Sequence, residues 1–108
     1  MEDKKEEIKE EKRFDELVAF LDTYYCEKLN LDELSSISNI EKSKLQRHFK
    51  KVFGLTINAY IIKKRLSKAK DMLLENKTSK ALISQLCGFS DQSHMLRNFK
   101  KEFGYIPK

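Results

Sequence analysis

Proline occurs once in this chain of 108 residues, at position 107, and glycine three times, at 54, 88 and 104. With so few chain breakers and few β-branched runs, long stretches keep an unbroken helical periodicity, which excludes a sheet fold and predicts an all-α protein. Cysteine is scarce too. Cys26 and Cys87 stand alone in apolar helical contexts, with no C-x-x-C and no metal-ligand spacing. That excludes a disulfide framework and a zinc site and points to a reducing, cytoplasmic compartment. No apolar run approaches the roughly 18 residues of a membrane span, and no signal-peptide core is present, so no membrane partner is expected. Missing as well are a Gly-rich phosphate loop, a nucleophile elbow and a metal motif, and the chain is too small for an obvious closed reaction pocket. The expectation is a protein that is not an enzyme, with no catalytic residues, no metal and no cofactor.

What the chain does contain is a repeat. Arg47-His48-Phe49-Lys50-Lys51-Val52-Phe53-Gly54 returns fifty positions later as Arg97-Asn98-Phe99-Lys100-Lys101-Glu102-Phe103-Gly104. Internal self-similarity fixes architecture before any single residue does. The likeness extends backwards: Leu34, Ile37 and Ile40 answer to Ile83, Leu86 and Phe89 once one extra residue is allowed beside Gly88-Phe89-Ser90-Asp91. Insertions belong in turns, so the slip supports the alignment. Each copy reads as a short apolar-periodic helix, a turn, and a longer helix studded with Lys and Arg, which is the helix-turn-helix layout.

Charge is distributed unevenly. The overall +5 conceals residues 1 to 16, which hold eight acids and five bases; residues 17 to 108 carry +8. So basic a body favours a polyanion as partner over an acidic surface or a neutral small molecule.

Periodicity predicts helices over about 14–28, 31–38, 42–53, 57–75, 80–87 and 92–103. Phe14, Leu17, Val18, Leu21 and Tyr25 would share one face of the first. Asn30, Thr56 and Asp91 are placed as N-caps, and Gly54 and Gly104 stop the two basic helices. Residues 1–13 form a charged lead that either extends the first helix or frays, with no packed structure expected. The domain organisation expected is a double helix-turn-helix over 14–108: a first unit at about 14–54, a linker helix at about 57–75, and a second unit at about 78–108. At ~1.5 Å per residue the linker is a rod of roughly 28 Å, close to the ~34 Å between successive major-groove faces of B-DNA. Its Ile57, Tyr60, Ile61, Leu66, Ala69, Met72 and Leu73 should pack into the two units, while Lys63, Lys64, Lys68 and Lys70 stay wet or face phosphate. Arg65 is either a phosphate contact or a structural ion-pair partner.

In a recognition helix the outward, N-terminal residues reach base edges. Those are Ser43, Lys44, Gln46 and Arg47 in the first unit and Gln92, Ser93, His94, Leu96 and Arg97 in the second. Arg can grip guanine and Gln adenine in bidentate fashion, whereas Leu96 can touch only a thymine methyl. Lys50, Lys51, Lys100 and Lys101 lie later in their helices and, with Thr56, suit the DNA backbone. Leu45, Val52 and Met95, together with the pairs Phe49/Phe53 and Phe99/Phe103, follow the core stripe. Blander readings compete. Arg47 and Arg97 could be plain helix-surface residues, though duplication argues otherwise. Gln46 and Gln92 have no unique demand, and His94 could be a packed or solvated imidazole. His48 reads as a surface residue. RNA binding is disfavoured because the aromatics fall at core spacing, and a helical adapter would not explain two basic helices of one design.

The string from Leu82-Ile83-Ser84-Gln85-Leu86-Cys87-Gly88-Phe89-Ser90-Asp91 through Gln92-Ser93-His94-Met95 to Gly104-Tyr105-Ile106-Pro107 strongly resembles the C-terminal signature of AraC/XylS-type transcription regulators. Leu34, Leu45-Gln46-Arg47, Phe49-Lys50-Lys51, Gly54, Tyr60, Arg65-Leu66 and Ala69 resemble the first half of the same family. The resemblance implies two helix-turn-helix units joined by a long helix. Together they would read adjacent major grooves of double-stranded DNA, usually to activate transcription, with RNA polymerase as a partner. Two departures stand out. Ser35 and Ser84 replace the family's usual small apolar residue, tolerable if each hydroxyl bonds the preceding helical turn. The family's tail and its effector or dimerisation domain are missing, so the expectation is either a short stand-alone member or an excised DNA-binding domain.

Overall fold

In the computed structural model, which describes residues 2–108, the breakers fall where helices stop. The helices are α1 (Glu2–Tyr24), α2 (Leu31–Ser38), α3 (Lys42–Phe53), α4 (Ile57–Glu75), α5 (Lys80–Leu86) and α6 (Gln92–Phe103), and no strand occurs among the described residues. The fold is the all-α arrangement expected, with a short and a long helix in each copy of the repeat.

The charged lead does not fray; it forms the first turns of α1. Lys and Glu are good helix formers, and an Arg13–Glu6 ion pair at 3.2 Å bridges positions two turns apart. Nor is the lead unpacked, since Glu10 and Arg13 are both half-buried. At its other end α1 stops at Tyr24, short of the expected Lys28. The carbonyls released there are taken up elsewhere: Arg65 donates from Nε to the Tyr25 carbonyl at 2.6 Å and from Nη2 to that of Glu27 at 2.8 Å. A guanidinium offering charged donors to orphan carbonyls outweighs one more turn of helix. Arg65 is thus a structural residue, though its partners are main-chain carbonyls and not an acid. Burial holds its pKa below the ordinary value.

The chain divides into two units, one holding α1, α2 and α3, the other holding Tyr25–Lys28 and Asn58–Lys108. In the first, Phe14, Leu17, Leu21, Leu34, Ile40, Leu45 and Phe49 are buried. The core of the second is Leu66, Ala69, Ile83, Cys87, Phe89, Met95 and Phe99, so all of α4 beyond its first residue is part of that unit.

Local chemistry sets the helix ends. Asn30 caps α2 by accepting from the Glu33 amide at 2.8 Å, and Asp91 caps α6 by accepting from the His94 amide at 2.7 Å. Glu41, from outside the usual capping set, caps α3 with both carboxylate oxygens, taking the Ser43 and Lys44 amides at 3.1 and 3.2 Å. Gly54 and Gly104 end α3 and α6 in the left-handed conformation. The two serines behave differently. Ser84 Oγ donates back to the Ala81 carbonyl at 2.7 Å, as expected, but Ser35 Oγ donates forward to the Ile40 carbonyl at 2.6 Å and so braces the turn.

Candidate nucleic-acid interface

Two faces of each basic helix are separated by its buried residues. Leu45 and Phe49 in α3 are 0% exposed, and Met95 and Phe99, fifty positions on, are 0% and 1% exposed. Anchoring at i and i+4 fixes the rotation of each helix about its axis, so the residues on the face opposite the anchors are turned outward. Ser43, Lys44, Gln46, Arg47, Lys50 and Lys51 are accordingly exposed along α3, and Gln92, Ser93, Arg97, Lys100 and Lys101 along α6. Thr56 is exposed just ahead of α4.

The core stripe is shorter than the periodicity suggested. Val52 is 53% exposed and Phe53 is 36% exposed, so neither is a core residue. Phe53 lies at the last turn, beside the stop at Gly54, and only one flank is covered: its ring stacks at 4.7 Å on Phe49 and lies 6.3 Å from Phe14. Its counterpart Phe103 is half-buried and packs against the second core.

His94 and Leu96 stand apart from the other candidates. Leu96 is half-buried against the second core. The His94 ring meets Phe89 edge-on at 5.5 Å, and its Nδ1 is buried without a hydrogen-bond partner. Both sit between interior and surface, while Gln92, Ser93 and Arg97 are free to meet a ligand. His48 is exposed, as expected, and rests edge-on against Phe14 at 4.4 Å.

Electrostatics distinguishes the two helices. In α3 the first turn is already engaged: Lys42 pairs with Asp32, and Lys44 pairs with Glu10 at 2.9 Å. The Asp32 carboxylate raises the Lys42 pKa, and the capping amides of Ser43 and Lys44, helped by Arg47, hold Glu41 below the ordinary carboxylate value. In α6 no carboxylate pairs with Arg97, Lys100 or Lys101 among the described residues. Those three, with Ser93, Leu96 and Ile106, line an open groove of about 500 Å³ along the helix. Ile106 was not foreseen as part of this face. The tail carrying it is drawn in by Tyr105, edge-on to Phe99 at 5.4 Å, and by Lys80 Nζ donating to the Pro107 carbonyl at 2.9 Å. The Lys80–Pro107 contact spans 27 residues and leaves no periodic signal. No group of three or more His, Cys, Asp or Glu that could hold a metal ion occurs among the described residues. Nor is any described helix long and apolar enough to cross a membrane.

Gly88 lies in the turn that leads into α6. Its φ is +91°, and a Cβ there would lie 2.4 Å from the Cys26 carbonyl oxygen and 3.0 Å from Arg65 Nε. The turn between α5 and α6 therefore lies directly on the Arg65 clamp, and no side chain fits between them.

Comparison with known proteins follows this geometry. A family model described as a helix-turn-helix domain matches residues 34–108. The chain is 33% identical over 88 residues to the probable transcriptional regulator LumQ of Photobacterium leiognathi, covering 82% of this chain and 36% of that protein. It is 31% identical over 96 residues to the HTH-type transcriptional activator RhaS of Escherichia coli, covering 89% of this chain and 34% of that one. It thus spans about a third of the length of these curated relatives. A crystal structure of a transcriptional regulator with an AraC-type DNA-binding domain, from Chromobacterium violaceum, superposes with a TM-score of 0.80 at 25% identity, covering 90% of this chain and 87% of that one.

Proposed function

This chain belongs to the AraC/XylS-type family of helix-turn-helix, DNA-binding transcription regulators, and from that premise we propose that it recognises a specific duplex by placing α3 and α6 in successive major grooves. The observation that carries the reading is the matched pair of outward basic faces, each set by buried apolar anchors at equivalent positions, Leu45/Phe49 and Met95/Phe99. Arg47 and Arg97 read guanine edges in bidentate contacts, with Gln46 and Gln92 on adenine and Ser43, Lys44 and Ser93 beside them. His94 and Leu96 contribute at the margin of the second face, where Leu96 meets a thymine methyl. Lys50, Lys51, Lys100, Lys101 and Thr56 hold phosphates and set the register. The first unit and the second, to which α4 belongs from Asn58 onward, act as one bipartite reader. Working in the cytoplasm, where two free thiols stay reduced, the bound protein activates transcription by positioning RNA polymerase.

Selection of bound sites from a random duplex pool tests this directly. The expected product is an asymmetric site with two conserved blocks about one helical turn apart. Failure to enrich any sequence rejects specific readout. With ~6 to 10 phosphates contacted, log K should fall steeply with log salt; a flat response removes the electrostatic part. Inserting about five base pairs, half a turn, between the blocks should abolish tight binding, and retained affinity would mean that the units dock independently.

A further inference from the structure

We infer that the acidic start of α1 is a built-in competitor for DNA: Glu10, flanked by Glu7 and Glu11, holds Lys44 of the first recognition helix in an internal ion pair that the duplex must displace. The inference rests on the DNA-binding reading above and adds a control to one half of that interface. Lys44 Nζ donates to Glu10 across 34 positions of sequence, at 2.9 Å. Glu7, Glu10 and Glu11 share one helix face at i, i+3 and i+4. Together with Phe14, Ile40, Lys44 and His48 they line a groove of about 360 Å³ against α3. The two partners are unequally held, for the Glu10 side chain is 27% exposed and that of Lys44 55%. The carboxylate is the more covered member and the ammonium the more open one. A row of carboxylates therefore lies beside the exposed start of α3, and a bound polyanion and Glu10 cannot both have Lys44. On α6 the position matching Lys44 is His94, and no described carboxylate pairs with the basic residues there. The device belongs to the first unit, which makes that half of the reader the weaker one.

Binding of the full chain to a fluorescein-labelled random-sequence duplex, followed by anisotropy across a salt series, tests the inference. Glu10→Gln keeps the shape and removes the charge. It should tighten binding about 2- to 5-fold at low salt, the range an exposed ion pair supports, and steepen the slope of log K against log salt by about 0.9, because on a random duplex, with no cognate base edge to read, the released Lys44 neutralises one more phosphate. Lys44→Ala should cost far less than Lys50→Ala in the native chain, but should erase the gain in the Glu10→Gln background. Glu16→Gln, at an exposed acid of the same helix that does not line the groove, controls for net charge. An equal gain from that control, no gain from Glu10→Gln, or a native Lys44→Ala loss as large as that of Lys50→Ala each overturns the inference while leaving DNA binding intact. A native chain that shows no salt-dependent binding takes both readings with it.

Discussion

Replacing Gly88 by alanine should be the most damaging glycine substitution in the chain, for a reason that can be worked from distances. At Gly54, Gly88 and Gly104 alike, φ is positive, at 72°, 91° and 83°, so alanine at any of them carries the left-handed penalty, ~1–2 kcal/mol. Nothing lies within 4 Å of a Cβ at Gly54 or Gly104, and the loss there ends with that penalty. A Cβ at Gly88 would sit 2.4 Å from the Cys26 carbonyl oxygen and 3.0 Å from Arg65 Nε, and neither backbone nor clamp can yield without parting. Displacing Arg65 forfeits its hydrogen bonds to the Tyr25 and Glu27 carbonyls, and bonds to a charged donor are worth ~1.5–3 kcal/mol each, at the lower end for a side chain half open to water. Gly88→Ala should therefore cost ~4–5 kcal/mol against ~1–2 kcal/mol for Gly54→Ala, from a total stability of the order of 5–15 kcal/mol. Urea unfolding followed by far-ultraviolet circular dichroism measures the difference, and amide hydrogen exchange should show protection lost first in α5 and α6. Equal costs for the three substitutions would refute the argument, because they differ only in what a methyl group meets.

Other expectations follow from the same geometry. Arg47→Ala or Arg97→Ala should each lose ~1–3 kcal/mol on the selected site and relax preference at one base position; equal losses on random duplex would make them phosphate ligands. Phe49→Ala should cost ~3–5 kcal/mol in denaturant unfolding, and Phe53→Ala distinctly less, given their exposures of 0% and 36%. Burial pushes the Cys87 thiol up to about 11, so in the folded protein at neutral pH a maleimide should label the half-buried Cys26 alone, and both thiols only after unfolding, as counted by mass spectrometry. Glu41 has a lowered pKa, so its stabilisation of α3 is complete above the ordinary carboxylate value of 4.5 and is lost as pH falls through the lowered one. Glu41→Ala should flatten that acid limb of the stability profile.

Much of this protein was legible before any coordinates, because the signals were local or repeated. Four of the six helices, α2, α3, α4 and α6, run between the residues that periodicity assigned, since Asn30 and Asp91 offer short acceptors to free amides and Gly54 and Gly104 accept positive φ. The duplicated R-x-F-K-K string placed both basic helices and their buried Phe49 and Phe99, and helical spacing placed the anchors Leu45 and Met95 one turn earlier. Where the reading went astray, a contact from distant sequence had decided the outcome. Residues 2–13 carry almost no apolar signal, yet Glu10 finds Lys44 and the lead is held against α3. Ser35 braces the Ile40 carbonyl ahead of it instead of bonding the turn behind.

Hydrophobic spacing, capping chemistry and an internal repeat therefore determine by themselves that the chain is helical, doubled and basic on two matching faces, because each depends on residues within a turn or two of one another. Only the tertiary structure decides that α1 ends at Tyr24, that Arg65 is committed to carbonyls instead of phosphate, that Gly88 must stay bare, and that Lys44 already has an acidic partner. Those outcomes are set by which groups meet across dozens of residues, and a meeting of that kind leaves no period in the sequence.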